Sequence, residues 1–450
     1  MYNPGMVLTL AQALRVDSPR SIAFVGSGGK TTAIFQLARQ LKSPVIITAT
    51  SHLGIWQTQW ADKHIIAGSP KAIKEIEVDL SGVILVTGIQ DGDRIKPVNE
   101  ETLGEIRKLC TGKSIPLLIE ADGSRQKPFK GWAEHEPPIP EFVDHVVQVV
   151  GLSGLNKSLN GEFVHRPEIF SRLSGVNLEE NITPESVIRA LTHEDSALRN
   201  VPAGARKTIL LNQADALETQ SMARGIASPL LTKFHAVVIA SLEQNKVFAA
   251  HEPIAGIILA AGASSRYGKP KQLLDWKGEP FVRGIARRAL EAGLSPVLLI
   301  IGAEAESVRA TVADLNVKIL VNDEWKSGQA SSIKTGVSHL LLPNNNLAGG
   351  AIFLLADQPQ ITASIIQALM EKHAEGLYPV VAPMVMDRRT NPVLFDRSTF
   401  SDLLTLEGDT GGRAIFHRYR VEYLPWHDDR LLLDVDTPEQ YQRLISDETL

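Results

Sequence analysis

The sequence of 450 residues contains a single cysteine, Cys110. One cysteine cannot form a disulfide within the chain, and no CxxC or histidine spacing around it suggests a metal site. We interpret it as a helix-packing thiol in a reducing cytosol. No charged start leads into an apolar segment with a cleavage site, and no apolar run approaches the ~20 residues of a membrane helix. The sequence therefore predicts a cytoplasmic protein without a membrane partner.

The sequence also lacks an excess of basic residues and any low-complexity segment. The formal net charge of -5 argues against a nucleic-acid partner, which would require a cationic surface. The apolar content of 44% and the charged content of 22% are typical of globular proteins. At roughly 150 residues per domain, the length predicts two or three domains.

One stretch, residues 254–274, joins an apolar run to a loop of small residues (IAGIILAAGASSRYGKPKQLL). The absence of bulky side chains lets backbone N–H groups approach phosphate oxygens, and the cations that follow can neutralise a triphosphate. The pattern predicts an anion-binding loop after a buried strand, with a plain tight turn as the alternative. The candidate residues are Ala260, Ala261, Gly262, Ser264, Arg266 and Lys271.

A second strand-to-loop pattern lies near the start, where apolar residues 21–25 lead into GSGGKTT and then a helical pattern. This context suits a phosphate loop for ATP or GTP, with backbone amides around the phosphates and a threonine hydroxyl on Mg²⁺. The spacing is tighter than GxxxxGKT and resembles the ATP loop of the Mur-type ligases. The alternative is a glycine-rich turn with a solvated lysine. The candidates are Gly26, Gly28, Gly29, Lys30 and Thr31.

Polar residues follow two further predicted strands of the first half. Glu120 and Asp122 come after residues 116–119, and a carboxylate at that position can hold Mg²⁺ or a water, although Asp-Gly is also a common turn. Asn212 and Asp215 follow the next strand in a string that resembles the base-reading Asn-Lys-x-Asp turn of GTP-binding proteins, with Gln in place of Lys.

In the second half, Asp357 follows the apolar strand 351–355, and Asp436 lies in an extended segment near the C-terminus. Beside a triphosphate loop, such carboxylates can bind Mg²⁺ that bridges the phosphates. Ser332 lies at the entrance of a predicted helix over 328–341, where free N–H groups and hydroxyls suit a ribose or base edge. A simple N-cap serine remains the alternative.

The second half resembles the molybdenum cofactor cytidylyltransferases, because residues 259–262, Ser264, Arg266, Gly268, Pro270 and Lys271 match their signature in step. The resemblance implies transfer of CMP from CTP to molybdenum-bearing molybdopterin (Mo-molybdopterin), with release of pyrophosphate. It also implies Mg²⁺ on Asp357 and Asp436, which with Arg266 and Lys271 are the expected catalytic residues. The preference for CTP over GTP rests on Ala261, where guanylyl-transferring relatives carry glycine.

Two more segments match this family, RTNP at 389–392 and GDTGGR at 408–413. The resemblance implies that Arg389, Asp409 and Arg413 face the pterin phosphate, with both arginines as phosphate clamps. Thr390 stands where the family has glycine.

The first half resembles the selenium-dependent hydroxylase accessory proteins through VGSGGKTT, EADGSR and the pairs His135-Glu136 and His165-Arg166. That family is associated with maturation of molybdenum hydroxylases, so an apo molybdenum hydroxylase is the expected partner. Lys130 and the two pairs are candidates to line a second anionic ligand, although each residue alone could be a surface charge or a core histidine.

The expected fold class is α/β, because strands alternate with helical patterns throughout. We predict a P-loop-like parallel-sheet domain over 1–245 and a Rossmann-like nucleotidyltransferase domain over 253–450, joined by a linker at 243–253. The alternatives that stay open for the whole protein are a guanylyl or sugar-phosphate nucleotidyltransferase, or a cofactor carrier that loads an apo-hydroxylase. The first domain could hydrolyse a nucleotide or only carry the finished cofactor.

Overall fold

The computed structural model describes residues 7–77, 79–262, 267, 269–343 and 347–446. The chain divides into two units, residues 1–251 and 252–450. Within the described ranges, no helix has the length and apolar character that crossing a membrane requires.

A nine-stranded sheet forms the centre of the first unit, in the order β9-β8-β7-β6-β1-β5-β2-β4-β3. Neighbouring strands are parallel except for the edge pair β8 and β9. Most of these strands are continuous apolar runs because helices cover both faces of a parallel sheet. Their bounds are β1 Ser21–Gly26, β2 Val45–Ala49, β3 Lys63–Ile66, β4 Val83–Thr87, β5 Leu117–Glu120, β6 His145–Gly151, β7 Arg206–Asn212, β8 Ala236–Ser241 and β9 Lys246–His251.

The helices of this unit begin at recognisable caps. Asn99 accepts a hydrogen bond from the Thr102 amide, and Thr183 with Ser186 forms a reciprocal cap before a Pro-initiated helix. Two small sheets connect the loops, and one of them joins Phe129–Lys130 to Val164–His165. The helices are α1 Leu10–Ala13, α2 Lys30–Gln40, α3 Lys71–Ile76, α4 Glu100–Lys113, α5 Pro167–Ser174, α6 Pro184–Thr192 and α7 Leu217–Leu230.

The second unit has an eight-stranded mixed sheet in the order β12-β11-β10-β13-β16-β14-β15, with β17 beside β14. Apolar clusters on its two faces form the core, as expected for a sheet between helix layers. The strands are β10 Ile254–Ala260, β11 Val297–Ile301, β12 Lys318–Val321, β13 Gly350–Leu355, β14 Val380–Val385, β15 Arg388–Arg389, β16 Val393–Asp396 and β17 Val421–Pro425. The helices are α8 Phe281–Glu291, α9 Ala305–Thr311, α10 Gln329–Leu340, α11 Ala363–Gly376, α12 Phe400–Leu403 and α13 Pro438–Ser446.

These sheets confirm the predicted α/β class. The linker prediction was wrong for most of its length, because β9 lies within residues 243–253 and pairs antiparallel with β8. The sequence of β9 did not predict a strand because β9 is a partly exposed edge strand, and a register shift interrupts its pairing with β8. Strand β6 was not predicted either, although the sheet buries it completely.

The parallel strands bring their carboxyl ends together at one edge of each sheet. In the first unit β1 lies between β5 and β6, and β7 follows β6, so the loops after these strands are neighbours. In the second unit β10 pairs in parallel with β13. Ligands of α/β proteins bind in the crevice outside such strand ends.

We predict that Gly26→Ala destabilises the first unit. Gly26 has φ +92°, and an added Cβ would lie 2.2 Å from the carbonyl oxygen of Val149. The strained backbone alone costs about 1–3 kcal/mol, which should appear as a lower free energy of unfolding in denaturant titrations followed by circular dichroism.

The matched control is Gly104→Ala, a position inside α4 where the new methyl group meets open space. Alanine favours a helix interior by about 1 kcal/mol over glycine, so this variant should be equal to the wild type or more stable. Equal stability of the Gly26→Ala and wild-type proteins would contradict the close approach of the loop to β6.

Candidate active sites

A cavity of about 510 Å³ opens in the second unit where β10 and β13 end. Most of the residues predicted for this unit line it, whereas Ser264 and Arg266 lie outside the described residues. The predicted residues in the lining are Ala260, Ala261, Gly262, Lys271, Ser332, Asp357, Asp409 and Asp436.

Lys271 joins the two predicted acids. Its Nζ atom lies 2.7 Å from Oδ2 of Asp357 and 2.8 Å from Oδ1 of Asp436. Burial lowers the pKa of Lys271, but the two carboxylates outweigh that effect and raise it above its ordinary value. The ammonium therefore stays charged, and the carboxylates remain partly exposed toward the cavity.

The two aspartates fit a divalent cation. Both reach one common cationic atom, so their oxygens can also approach one metal ion, and carboxylate oxygens are the donors that Mg²⁺ prefers. Over the described ranges, no cluster of three or more His, Cys, Asp or Glu side chains forms a protein-only metal site. Mg²⁺ commonly uses one or two carboxylates and takes its remaining ligands from phosphates and water. The donor set matches that pattern.

Asn322 is a functional candidate that sequence analysis missed. It is buried after β12, and its Nδ2 donates to the hydroxyls of Ser331 at 2.8 Å and Ser332 at 2.9 Å. These bonds orient the hydroxyls at the start of α10, beside the cavity. A polar residue directly after an apolar strand was the available signal, the same one that drew attention to Asn212.

The loop that carries Asp409 packs closely against the start of α10. Gly328 has φ +110°, and a Cβ there would lie 2.3 Å from the carbonyl carbon of Gly408. Oδ1 of Asp409 accepts a long hydrogen bond of 3.4 Å from the Gln329 amide. Glycine at position 328 is therefore required for this part of the cavity wall.

The two predicted phosphate clamps lie outside the cavity lining. The exposed Arg389 has its guanidinium carbon 5.8 Å from the ring centre of Tyr423. Nη2 of the exposed Arg413 donates to Oδ1 of Asn391 at 3.4 Å. The structure thus does not bring these arginines to Lys271, and their contact with a substrate phosphate stays a prediction.

The first unit has a larger cavity, of about 910 Å³, at the ends of β1, β5 and β7. Gly28, Gly29, Lys30 and Thr31 line it. Gly29 precedes the first turn of α2 with φ +122°, so the amides at the helix start face the loop. Nζ of Lys30 lies 2.6 Å from the Gly26 carbonyl oxygen and 3.2 Å from Oδ1 of Asp122.

The carboxylates Asp122 and Glu120 have different surroundings. Buried Asp122 accepts from the Gly26 amide at 3.0 Å and from Lys130 Nζ at 2.8 Å, so in this structure it braces the loop. Oε2 of Glu120 accepts from the Thr31 hydroxyl at 3.1 Å. Burial raises the pKa of Glu120, against the opposing effect of Lys30. Metal binding by Asp122 stays a prediction, and Glu120 is the acid beside Thr31.

Asn212 connects the glycine loop 26–31 to the last parallel strand. Its Nδ2 donates to the Gly28 carbonyl oxygen at 2.7 Å, and its Oδ1 accepts from the Leu242 amide at 2.9 Å. Asp215 accepts a hydrogen bond from the hydroxyl of Ser241, outside the cavity lining. A base-reading role for Asp215 therefore stays a prediction.

Two family models match the chain. Residues 22–168 match the family described as YqeC protein, and residues 256–423 match the MobA-like NTP transferase domain. The two matches fall in different units.

Individual relatives each match less than half of the chain. Nicotine blue oxidoreductase of Paenarthrobacter nicotinovorans is 31% identical over 201 residues, which are 43% of this chain and 96% of that protein. Uncharacterized protein YqeC of Escherichia coli K12 is 28% identical over 219 residues, 47% of this chain and 83% of the relative. Molybdenum cofactor cytidylyltransferase of the same organism is 24% identical over 189 residues, 41% of this chain and 92% of the relative. The chain thus belongs to the MobA-like NTP transferases and combines that domain with a YqeC-type domain.

Proposed function

We propose that the second unit transfers CMP from CTP to Mo-molybdopterin. The observation that carries this proposal is the position of Lys271 between Asp357 and Asp436, beside the small-residue loop that ends β10. A charged lysine with two adjacent acids suits a metal-bound triphosphate. The similarity to a molybdenum cofactor cytidylyltransferase supports the choice of substrates.

In this reaction, an oxygen of the terminal phosphate of Mo-molybdopterin attacks the α-phosphorus of CTP. The bond between that phosphorus and the β-phosphate oxygen breaks, and pyrophosphate leaves with the electron pair. The products are molybdopterin cytosine dinucleotide and pyrophosphate. The phosphate nucleophile is already ionised, so the protein does not need a general base.

The residues of the chain supply alignment and positive charge. Lys271 can donate to phosphate oxygens from its place between the acids, and residues 260–262 line the cavity wall. Bound Mg²⁺, held by Asp357 and Asp436, would neutralise the triphosphate. Ser332, oriented by Asn322, can bind the ribose or the base edge. Arg266, Arg389 and Arg413 remain proposed contacts to the substrate phosphates.

For the first unit we propose ATP or GTP binding at the loop 26–31 in support of molybdenum hydroxylase maturation. Lys30 and the amides before α2 would contact the phosphates, and Thr31 with Glu120 would lie nearest to Mg²⁺. The expected partner is an apo molybdenum hydroxylase.

One assay separates the transferase from its alternatives. Pyrophosphate release is measured with CTP or GTP, each with Mo-molybdopterin or a sugar 1-phosphate as the acceptor. Cytidylyl transfer requires release with CTP and Mo-molybdopterin. A preference for GTP or for a sugar phosphate would favour the corresponding nucleotidyltransferase, and retention of cofactor without turnover would favour a carrier.

We predict that Asp357→Asn lowers the rate of pyrophosphate release from CTP and Mo-molybdopterin by about 100-fold or more, because it removes a metal-binding charge next to Lys271. Lys271→Ala should cause a loss of similar size. Steady-state kinetics at saturating Mg²⁺ provide the measurement.

Asp434→Asn is the control for this pair. Asp434 lies two residues before Asp436 and accepts from Gln358 instead of Lys271, so its substitution should change the rate by only a few-fold. Equal losses in Asp357→Asn and Asp434→Asn would argue against a specific role for the cluster around Lys271.

We also predict that Ala261→Gly raises the use of GTP relative to CTP. Ala261 is buried in the cavity wall, where its methyl group would crowd a purine. One methyl group in a pocket changes discrimination by about 10-fold or more, so the ratio of kcat/KM for GTP to that for CTP should rise by about that factor. Ala303→Gly controls for a looser loop, because the Ala303 amide donates to the Ala261 carbonyl. No gain in GTP use would contradict this basis for selectivity.

A further inference from the structure

The cavity of the first unit has a second cationic wall besides the phosphate loop. Arg125, His165 and Arg166 line this wall, and the cavity also reaches Lys30. Lys130 lies directly behind with a fully buried side chain. A buried ammonium is costly unless it is paired, so the arrangement of its partners is informative.

A chain of ion pairs connects the phosphate loop to this wall. Asp122 lies 3.2 Å from Nζ of Lys30 and 2.8 Å from Nζ of Lys130. Lys130 lies 3.3 Å from Glu136, which in turn pairs with the guanidinium of Arg166. Three cations therefore share two carboxylates in this chain. The exposed Arg125 adds a further positive charge on the cavity side, where Asp93 and Glu120 are acidic residues of the lining besides Glu136.

The electrostatic effect of this excess reaches His165. Burial, followed by Arg166, Lys130 and Arg125, lowers the pKa of His165 to about 4. Near neutral pH its imidazole is uncharged and can hydrogen-bond a ligand without adding charge.

The backbone around the cavity is strained at several non-glycine residues. Arg125, Gln126, Arg166 and Gln213 have φ values of 50°, 61°, 62° and 65°, and all four line the cavity. Such conformations cost energy and are concentrated at ligand clamps and active sites. Two of the four residues carry the guanidinium groups of the second wall.

We propose that this wall binds a phosphomonoester as a second ligand beside the nucleotide, with Arg166 and Arg125 as its main contacts. The guanidinium fork matches phosphate oxygens, and His165 supplies a neutral donor. A cavity of about 910 Å³ lies near the upper end of the roughly 300–1,000 Å³ that is typical of ligand sites. The proposal concerns the first unit alone and does not depend on cytidylyl transfer in the second.

The test is titration of the full chain with inorganic phosphate by isothermal titration calorimetry at constant ionic strength. Arg166→Ala and Arg125→Ala should each weaken one phosphate-binding event by about tenfold or more. Lys30→Ala should weaken a different event, that of the phosphate loop. Arg172→Ala is the matched control, because Arg172 is an exposed arginine on the same helix as the Arg166 cap and lies outside the cavity lining.

Arg166→Ala leaves Glu136 without its guanidinium partner. If that variant fails to fold, Arg125→Ala still tests the proposal. Far-UV circular dichroism identifies that case. The proposal is overturned if Arg125→Ala and any folded Arg166→Ala protein bind phosphate within twofold of the wild type. The proposal is also overturned if Lys30→Ala removes the same phosphate-binding event that the arginine variants weaken, because a single site would then explain both results.

Discussion

The contact of one ammonium with two carboxylates is the interaction on which the proposed chemistry of the second unit depends. Lys271 is 86 residues from Asp357 and 165 residues from Asp436 in sequence, yet its Nζ lies within hydrogen-bonding distance of both. The sheet makes this possible, because the parallel pairing of β10 with β13 brings the loops after both strands to one edge. Without that pairing, the acids would have no common cation.

The two units apply the same physical principle with different details. In each, a buried strand leads to a loop of small residues, and an asparagine after another strand holds the neighbouring backbone or hydroxyls. Asn212 fixes the glycine loop 26–31 through the Gly28 carbonyl, whereas Asn322 orients the serines at the start of α10. The Gly28 partner of Asn212 lies 184 residues away in sequence, whereas the serines that Asn322 contacts lie 9 and 10 residues further along the chain.

Sequence patterns predicted those elements whose determining residues are adjacent in the chain. The strands that lead into the glycine loop 26–31 and into the loop after β10, and the acid-bearing strand ends, were predicted because apolar runs, glycines and cations adjoin in the chain. Asn322 was not predicted, because an asparagine after a strand does not reveal which hydroxyls it will contact. Lys130 was a candidate to line an anionic ligand, but its ion pairs with Asp122 and Glu136 were not predicted. Strand β9 was mistaken for a linker because an antiparallel edge strand with a shifted register has a weak period. Arg389 and Arg413 show the reverse case. Both belong to segments that match the family's motifs, yet the structure does not place them in the cavity lining.

The close packing of Gly328 against Gly408 also constrains how this protein can evolve. Any side chain at position 328 would have to push the Asp409 loop outward, so a single substitution there would enlarge one wall of the cavity and strain the backbone at once. Diversification of the pocket should therefore proceed by paired changes at both positions, or by changes elsewhere around the rim.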